Sequence, residues 1–163
     1  MSSSKRASRV LVGLVAAGTT VGALFVDALL PETARQHLHN PRWPAHAKFH
    51  NAQYIVMSAV LGGVAMRLLN SPNGDPDHNR VIATAILSVP YVGMYGAAAF
   101  PGTALSDEEF SDSPANRVMG VEVNLLSATI CLAVLGTSLA LGRRARWVVP
   151  QVIAAAPVAR RSR

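Results

Sequence analysis

The sequence predicts an all-α protein, a four-helix transmembrane bundle with both termini cytoplasmic. Three observations carry this. Half of the 163 residues are apolar and only 15% are charged, and the mean hydropathy is +0.28. Four tracts of about twenty residues are nearly free of charge, the length a helix needs to cross hydrocarbon. The charged residues gather in the loops and at the ends, the distribution of a chain that meets lipid.

The spans are expected over about 10–30, 49–69, 81–100 and 118–142, in one membrane domain covering residues 1–145. Residues 146–163 form a basic cytoplasmic tail. The first tract, Val10 to Leu30, holds Asp27 as its single charge. A basic start before an apolar run also describes a signal peptide. This run exceeds a usual signal core and no small-x-small cleavage site follows it, so it is read as a span. The second tract is polar at its start and carries Arg67 near its end. The third is uncharged, and the fourth has Glu122 and Asn124 near its start. Lipid offers no partner for backbone polar groups, which makes each tract helical.

The loops set the direction. Eleven of the fifteen basic residues lie before the first span, around the second loop, or after the last span. The other two loops hold Arg35, Arg42, Lys48 and Arg117 together with Glu32, Asp107, Glu108, Glu109 and Asp112. The positive-inside bias turns these loops outward or into a lumen. The loop Ser71-Pro72-Asn73-Gly74-Asp75-Pro76-Asp77 is dense in turn formers, so spans two and three are expected as antiparallel neighbours. Arginines mix with Trp147, Val148, Val149, Val152 and Ile153 in the tail, a pattern that suits an interfacial segment or a mobile basic tail.

Several classes are excluded. The net charge of +6 does not indicate nucleic acid, because the basic residues flank apolar runs and aromatics make up only 6%. Cys131 is the only cysteine, which rules out an intrachain disulfide or a cysteine-based zinc site. No phosphate-binding glycine loop, nucleophile elbow or dinucleotide fingerprint is present.

The candidate site is a polar cluster at the outward end. Trp43 suits the headgroup level, and Pro44 suits the first turn of the second helix. At about 100° per residue, His46, His50, Gln53 and Met57 share one helix face. Three of these four are polar, so that face is expected to turn inward. On the first helix Gly13, Ala17, Thr20 and Asp27 share a face of mostly small residues, which permits close packing. On the fourth, Glu122, Thr129, Ala133, Gly136 and Ala140 line one face, and Asn124, Ser127, Cys131 and Ser138 line the opposite one. Which of Glu122 and Asn124 points inward stays open. Tyr91 and Tyr95 follow Pro90, with Tyr95 nearer the outward end. Glu32, His37, His39 and the Asp107–Asp112 run are expected to be solvated loop residues.

Proton transfer needs an acid and a base that work near ambient pH, which histidine and carboxylates supply. Ionisable groups inside spans are costly and read as functional by default. The expectation is a small membrane enzyme without a cofactor, of isomerase or cyclase type, acting on a lipid-like or terpenoid substrate. His46 and His50 are the candidate acid/base pair, and Glu122 and Asp27 orient them or stabilise developing positive charge. Trp43, Gln53, Tyr95 and Asn124 line the substrate site. The alternatives are a scaffold or accessory subunit whose polar cluster fixes packing, and a metal held by His46 and His50. The expected partners are membrane lipid and a hydrophobic small molecule, and a homo-oligomer is compatible. The membrane is the endoplasmic reticulum in a eukaryote and the plasma membrane in a bacterium.

The segment Asn40-Pro41-Arg42-Trp43-Pro44-Ala45-His46-Ala47-Lys48-Phe49-His50 resembles the hallmark of a family of small, uncharacterised four-span membrane proteins of fungi and bacteria, Asn-Pro-x-Trp-Pro-x-His-Ala-(Lys/Arg)-Phe-His. The resemblance implies a four-span layout over roughly residues 8–145 and marks Trp43, Pro44, His46 and His50 as site candidates. It implies no particular reaction. The architecture is also loosely similar to small membrane isomerases and cyclases of sterol and terpenoid metabolism, without a shared motif.

Overall fold

The computed structural model describes residues 2–154, with side chains through Arg143. Helix α1 spans Ser3–Leu24 and continues as a π-turn over Phe25–Leu29. A short helix α2, Pro31–Ala34, folds the chain back. The three remaining long helices are α3 (Ala45–Leu69), α4 (Pro76–Ala98) and α5 (Val123–Ala154). Four segments, Ser3–Leu29, Ala45–Leu69, Pro76–Ala98 and Val123–Arg143, are long and apolar enough to cross a bilayer, as in a multi-pass membrane protein. The tail sequence from Trp147 to Ile153 lies outside the described side chains. Its backbone continues α5 as far as Ala154.

The long helices form a ring in the order α1, α3, α4, α5. Their shared core contains Val12, Val15, Ala16, Ala65, Leu69, Ala83, Leu87 and Leu135. Many large apolar side chains point outward, among them Leu14, Val56, Val60, Val89 and Ile130. Such a surface matches lipid in place of water.

Each helix starts where the local chemistry allows. Ser2 caps α1, its hydroxyl accepting from Lys5 N. Asp75 caps α4 through Asp77 N at 3.0 Å, and Pro76 occupies the first turn. Pro44 is extended (ψ 153°) and stands just before α3, not inside its first turn. The fourth span begins at Val123, five residues later than position 118. Arg117–Val118 and Val121–Glu122 form a small hairpin around Met119 and Gly120, both at positive φ. Glu122 Oε2 then accepts from Asn124 N at 2.8 Å and Leu125 N at 3.1 Å, capping α5.

The end that carries the N-terminus is tied by buried polar contacts. Ser8 Oγ donates to Ser138 O at 2.8 Å and Ser138 Oγ donates to Ser8 O at 3.1 Å, joining α1 to α5. Arg80 is 4% exposed. Its Nη1 donates to Ser138 O at 3.4 Å and its guanidinium lies over Gly142, where a Cβ would collide with it. Lys5 pairs with Asp77 at 2.8 Å, and Arg9 donates to Leu69 O. Midway along the bundle, Gly62 lets α3 rest on the α1 backbone. A Cβ there would lie 2.7 Å from Thr20 N and 2.8 Å from Ala16 O.

Candidate functional site

The far half of α1 departs from regular geometry, and this departure builds the site. The buried face of α1 is Ser8, Val12, Val15, Ala16 and Thr19. It is not the Gly13, Ala17, Thr20 face, since Ala17 is exposed. In a continuous α-helix, Asp27 would fall about 80° away from Thr19, eight residues on. The π-turn advances less per residue and carries Asp27 back toward the interior, where it is 8% exposed. Leu30 N closes that turn on Phe25 O at 2.9 Å.

Pro31 starts α2 and reverses the chain. The fold-back lays His37 over the end of α1. His37 Nδ1 donates to Thr33 O at 2.8 Å and lies 3.8 Å from Asp27 Oδ1. Asn51 of α3 donates from Nδ2 to Asp27 Oδ2 at 2.8 Å, and its buried Oδ1 has no partner among the described residues. Asp27 is thus held between two neighbours from different parts of the chain.

Below this group lies a cavity of about 470 Å³ between the four long helices. Asp27, His37, Asn51, Tyr54, Tyr91 and Asn124 give it polar points, and Ala23, Val26, Pro90, Met94 and Cys131 are among its apolar walls. Tyr91 OH is 2.8 Å from Thr19 Oγ1, and Thr19 Oγ1 donates to Val15 O at 2.8 Å. Since the threonine proton is engaged, Tyr91 is the donor in that pair. Of the lining residues, Gly18 and Val26 of α1 and Ser127 of α5 are exposed. The cavity wall is therefore exposed on its α1 and α5 sides, among apolar surface residues. Its volume and its mostly apolar wall with a few convergent polar groups are those of a small-molecule site.

The expected cluster comes together only in part. Asp27 and Asn124 line the cavity. Asn124, not Glu122, is the inward residue of α5, because Glu122 commits both oxygens to capping the helix and to Asn124 Nδ2 at 3.0 Å. His46, His50, Gln53 and Met57 do share one face of α3, but it is the exposed one. The buried stripe of α3 is Ile55, Ser58, Gly62, Ala65 and Leu69. Small residues that fit against α1 decide which face turns inward, and the imidazoles follow outward. They do not meet Asp27 or Glu122. Tyr95 is exposed and holds Thr129 Oγ1 at 2.5 Å, bridging α4 and α5 on the outside. Trp43 stands above the cavity, its ring edge-on to His37 at 5.8 Å and its Nε1 donating to Asp107 Oδ2 at 2.7 Å.

His37 was expected in solvent and is half-buried in the wall of the cavity. Asn51, Tyr54 and Tyr91 join it there. The one signal for His37 was the Leu30-Pro31 step, which ends the span and turns the chain back over it. For Asn51, Tyr54 and Ser58 the signal was their spacing of three and four, leading into Gly62.

Asn40 is 1% exposed and joins the loop before α3 to the loop between α4 and α5. Its Nδ2 donates to Glu109 Oε1 at 3.1 Å and its Oδ1 accepts from Arg42 N at 2.8 Å, while Arg42 pairs with Glu109. The motif around Asn40, Arg42 and Trp43 is thus a latch that fastens the second loop above His37.

Residues 11–151 match the profile of a protein family described as a family of unknown function. No curated protein and no solved structure matches the chain.

Proposed function

Because the chain belongs to the family of unknown function DUF6640, we propose its activity from its own geometry: proton transfer on a hydrophobic small molecule held in the cavity, of isomerase or cyclase type. The single observation behind this reading is the Asp27–His37 pair at the polar head of an apolar, laterally exposed cavity. The Thr33 carbonyl requires a proton on His37 Nδ1, which leaves Nε2 of the neutral ring with its lone pair. That carbonyl also orients the ring, and the Asp27 carboxylate 3.8 Å away stabilises by its charge the imidazolium that forms when Nε2 takes a proton. In an isomerisation, Nε2 removes a proton from carbon and returns it at a second position. No electrons are lost and no cofactor enters the balance. Asn51 holds Asp27 in place. In this reading Tyr91 and Asn124, which line the cavity, receive the polar end of the substrate.

A lipid-like or terpenoid substrate suits the opening between α1 and α5, since such molecules already partition into the bilayer. The alternative of a packing scaffold applies better to the opposite end, where Ser8, Ser138 and Arg80 join α1, α4 and α5.

Deuterium tests the reading. Purified protein is incubated in D2O with membrane extracts, and the extracted lipids are examined by mass spectrometry. The wild type is expected to move deuterium onto carbon in at least one apolar compound, with His37→Gln and Asp27→Asn folded but strongly impaired. Equal labelling by wild type and both variants would sink the proposal.

A further inference from the structure

We propose that His46 and His50 form a binding site for one divalent transition-metal ion of the imidazole-preferring class, such as zinc, copper or nickel. It lies on the outer face of α3 and is separate from the cavity. The two Nε2 atoms are 3.1 Å apart, with the rings at 78° to each other. A metal bound by two imidazole nitrogens at about 2.0–2.1 Å, with an angle of about 100° between them, holds those nitrogens about 3.1 Å apart. The bare side chains already have the spacing of a chelate.

The tautomer is prepared as well. Gln53 Oε1 lies 3.2 Å from His50 Nδ1 and can only accept there. The Nδ1 proton is therefore fixed, and His50 Nε2 presents its lone pair toward His46. Metal-binding histidines characteristically use the other ring nitrogen in this way. Without a metal, His46 Nε2–H donates to His50 Nε2. On metal binding the His46 proton moves through water from Nε2 to Nδ1, and both neutral Nε2 atoms then act as ligands.

The donor set selects the ion. Two neutral nitrogens with no carboxylate beside them suit zinc, copper or nickel and do not suit calcium or magnesium, which take oxygen ligands. Among the described residues, no group of three or more His, Cys, Asp or Glu side chains forms a site, so the remaining positions belong to water or a donor outside the chain. Both histidines are exposed and stand in the first turns of α3, close to Trp43. A headgroup depth supplies that water. Lys48 and the positive end of the helix oppose a cation, so binding rests on the chelate itself.

Zinc titration of the full chain in detergent, with no polyhistidine tag, tests the assignment. The expected result is saturable binding of one zinc per chain, abolished by His46→Ala and by His50→Gln. His39→Ala is expected to bind as the wild type does. Gln53→Leu is expected to weaken binding about tenfold, the usual effect of losing such a supporting hydrogen bond. All these side chains are exposed or only supporting, so each variant should elute as the wild type does. Retention of binding in both histidine variants, or no saturable binding by the wild type, would overturn the site. The result does not depend on the cavity having any activity.

Discussion

Nδ1 of His37 lies 3.8 Å from Oδ1 of Asp27, although the two residues belong to different structural elements. The pair exists because the π-turn rotates Asp27 inward and Pro31 returns the chain across it.

Removing either partner should remove proton transfer and leave the bundle intact. General acid–base groups contribute roughly 10²–10⁴-fold to rate. His37→Gln is expected to lose activity within that range, and Asp27→Asn somewhat less, since Asn keeps the acceptor toward Asn51. Deuterium incorporation from D2O measures both.

The cavity should be closable from α1. A Cβ at Gly22 meets nothing within 4 Å, and Gly22 lines the space. Gly22→Phe is expected to fill it without strain and to raise helix propensity slightly. Loss of co-purified apolar ligands with an unchanged thermal midpoint, read by native mass spectrometry and a melting assay, is the expected outcome.

Cys131 gives an independent reading of access, because the only cysteine in the chain lines the cavity. Maleimide labelling is expected to be slow in the wild type and slower still in Gly22→Phe. It should be faster in Asn40→Ala, which unfastens the loops by leaving Glu109 Oε1 and Arg42 N without their partner. That variant should also cost about 0.5–1.5 kcal/mol of stability, the net worth of hydrogen bonds whose partners reach water.

The contact at Gly62 should be intolerant. Gly62→Ala places a methyl 2.3 Å from Thr20 Oγ1 and against the α1 backbone, and overpacking of this kind costs about 1–3 kcal/mol. Gly63→Ala, next in sequence with open space around it, is expected to be neutral or mildly stabilising. Thermal unfolding in detergent compares the two.

The four spans were legible because length and the absence of charge are properties of single tracts, which a bilayer reads one at a time. The rotation of each helix was much less so. Apolar side chains surround α3 on all sides, so hydrophobicity does not mark its inner face. The polar group His46, His50 and Gln53 seemed to mark it, but the small residues Ser58, Gly62 and Ala65 decide the packing. On α5 the two opposed faces were both visible, and the hairpin at Met119-Gly120 settles them by assigning Glu122 to the cap. Asp27 was legible as a lone charge. Its partner was not, because the π-turn and the fold-back at Pro31 place His37 by three-dimensional course and not by periodicity.

The serine contact between α1 and α5 has a mechanical consequence. Ser8 and Ser138 clamp the two helices at one extremity, while the polar head of the cavity at Asp27 lies about 28 Å along the α1 axis at 1.5 Å per residue. The arrangement is a pair of tongs with its rivet at the serines. A loosened rivet would let the helices splay most at the far tips, so the width of the proposed ligand opening would depend in part on two hydroxyls nearly a membrane thickness away.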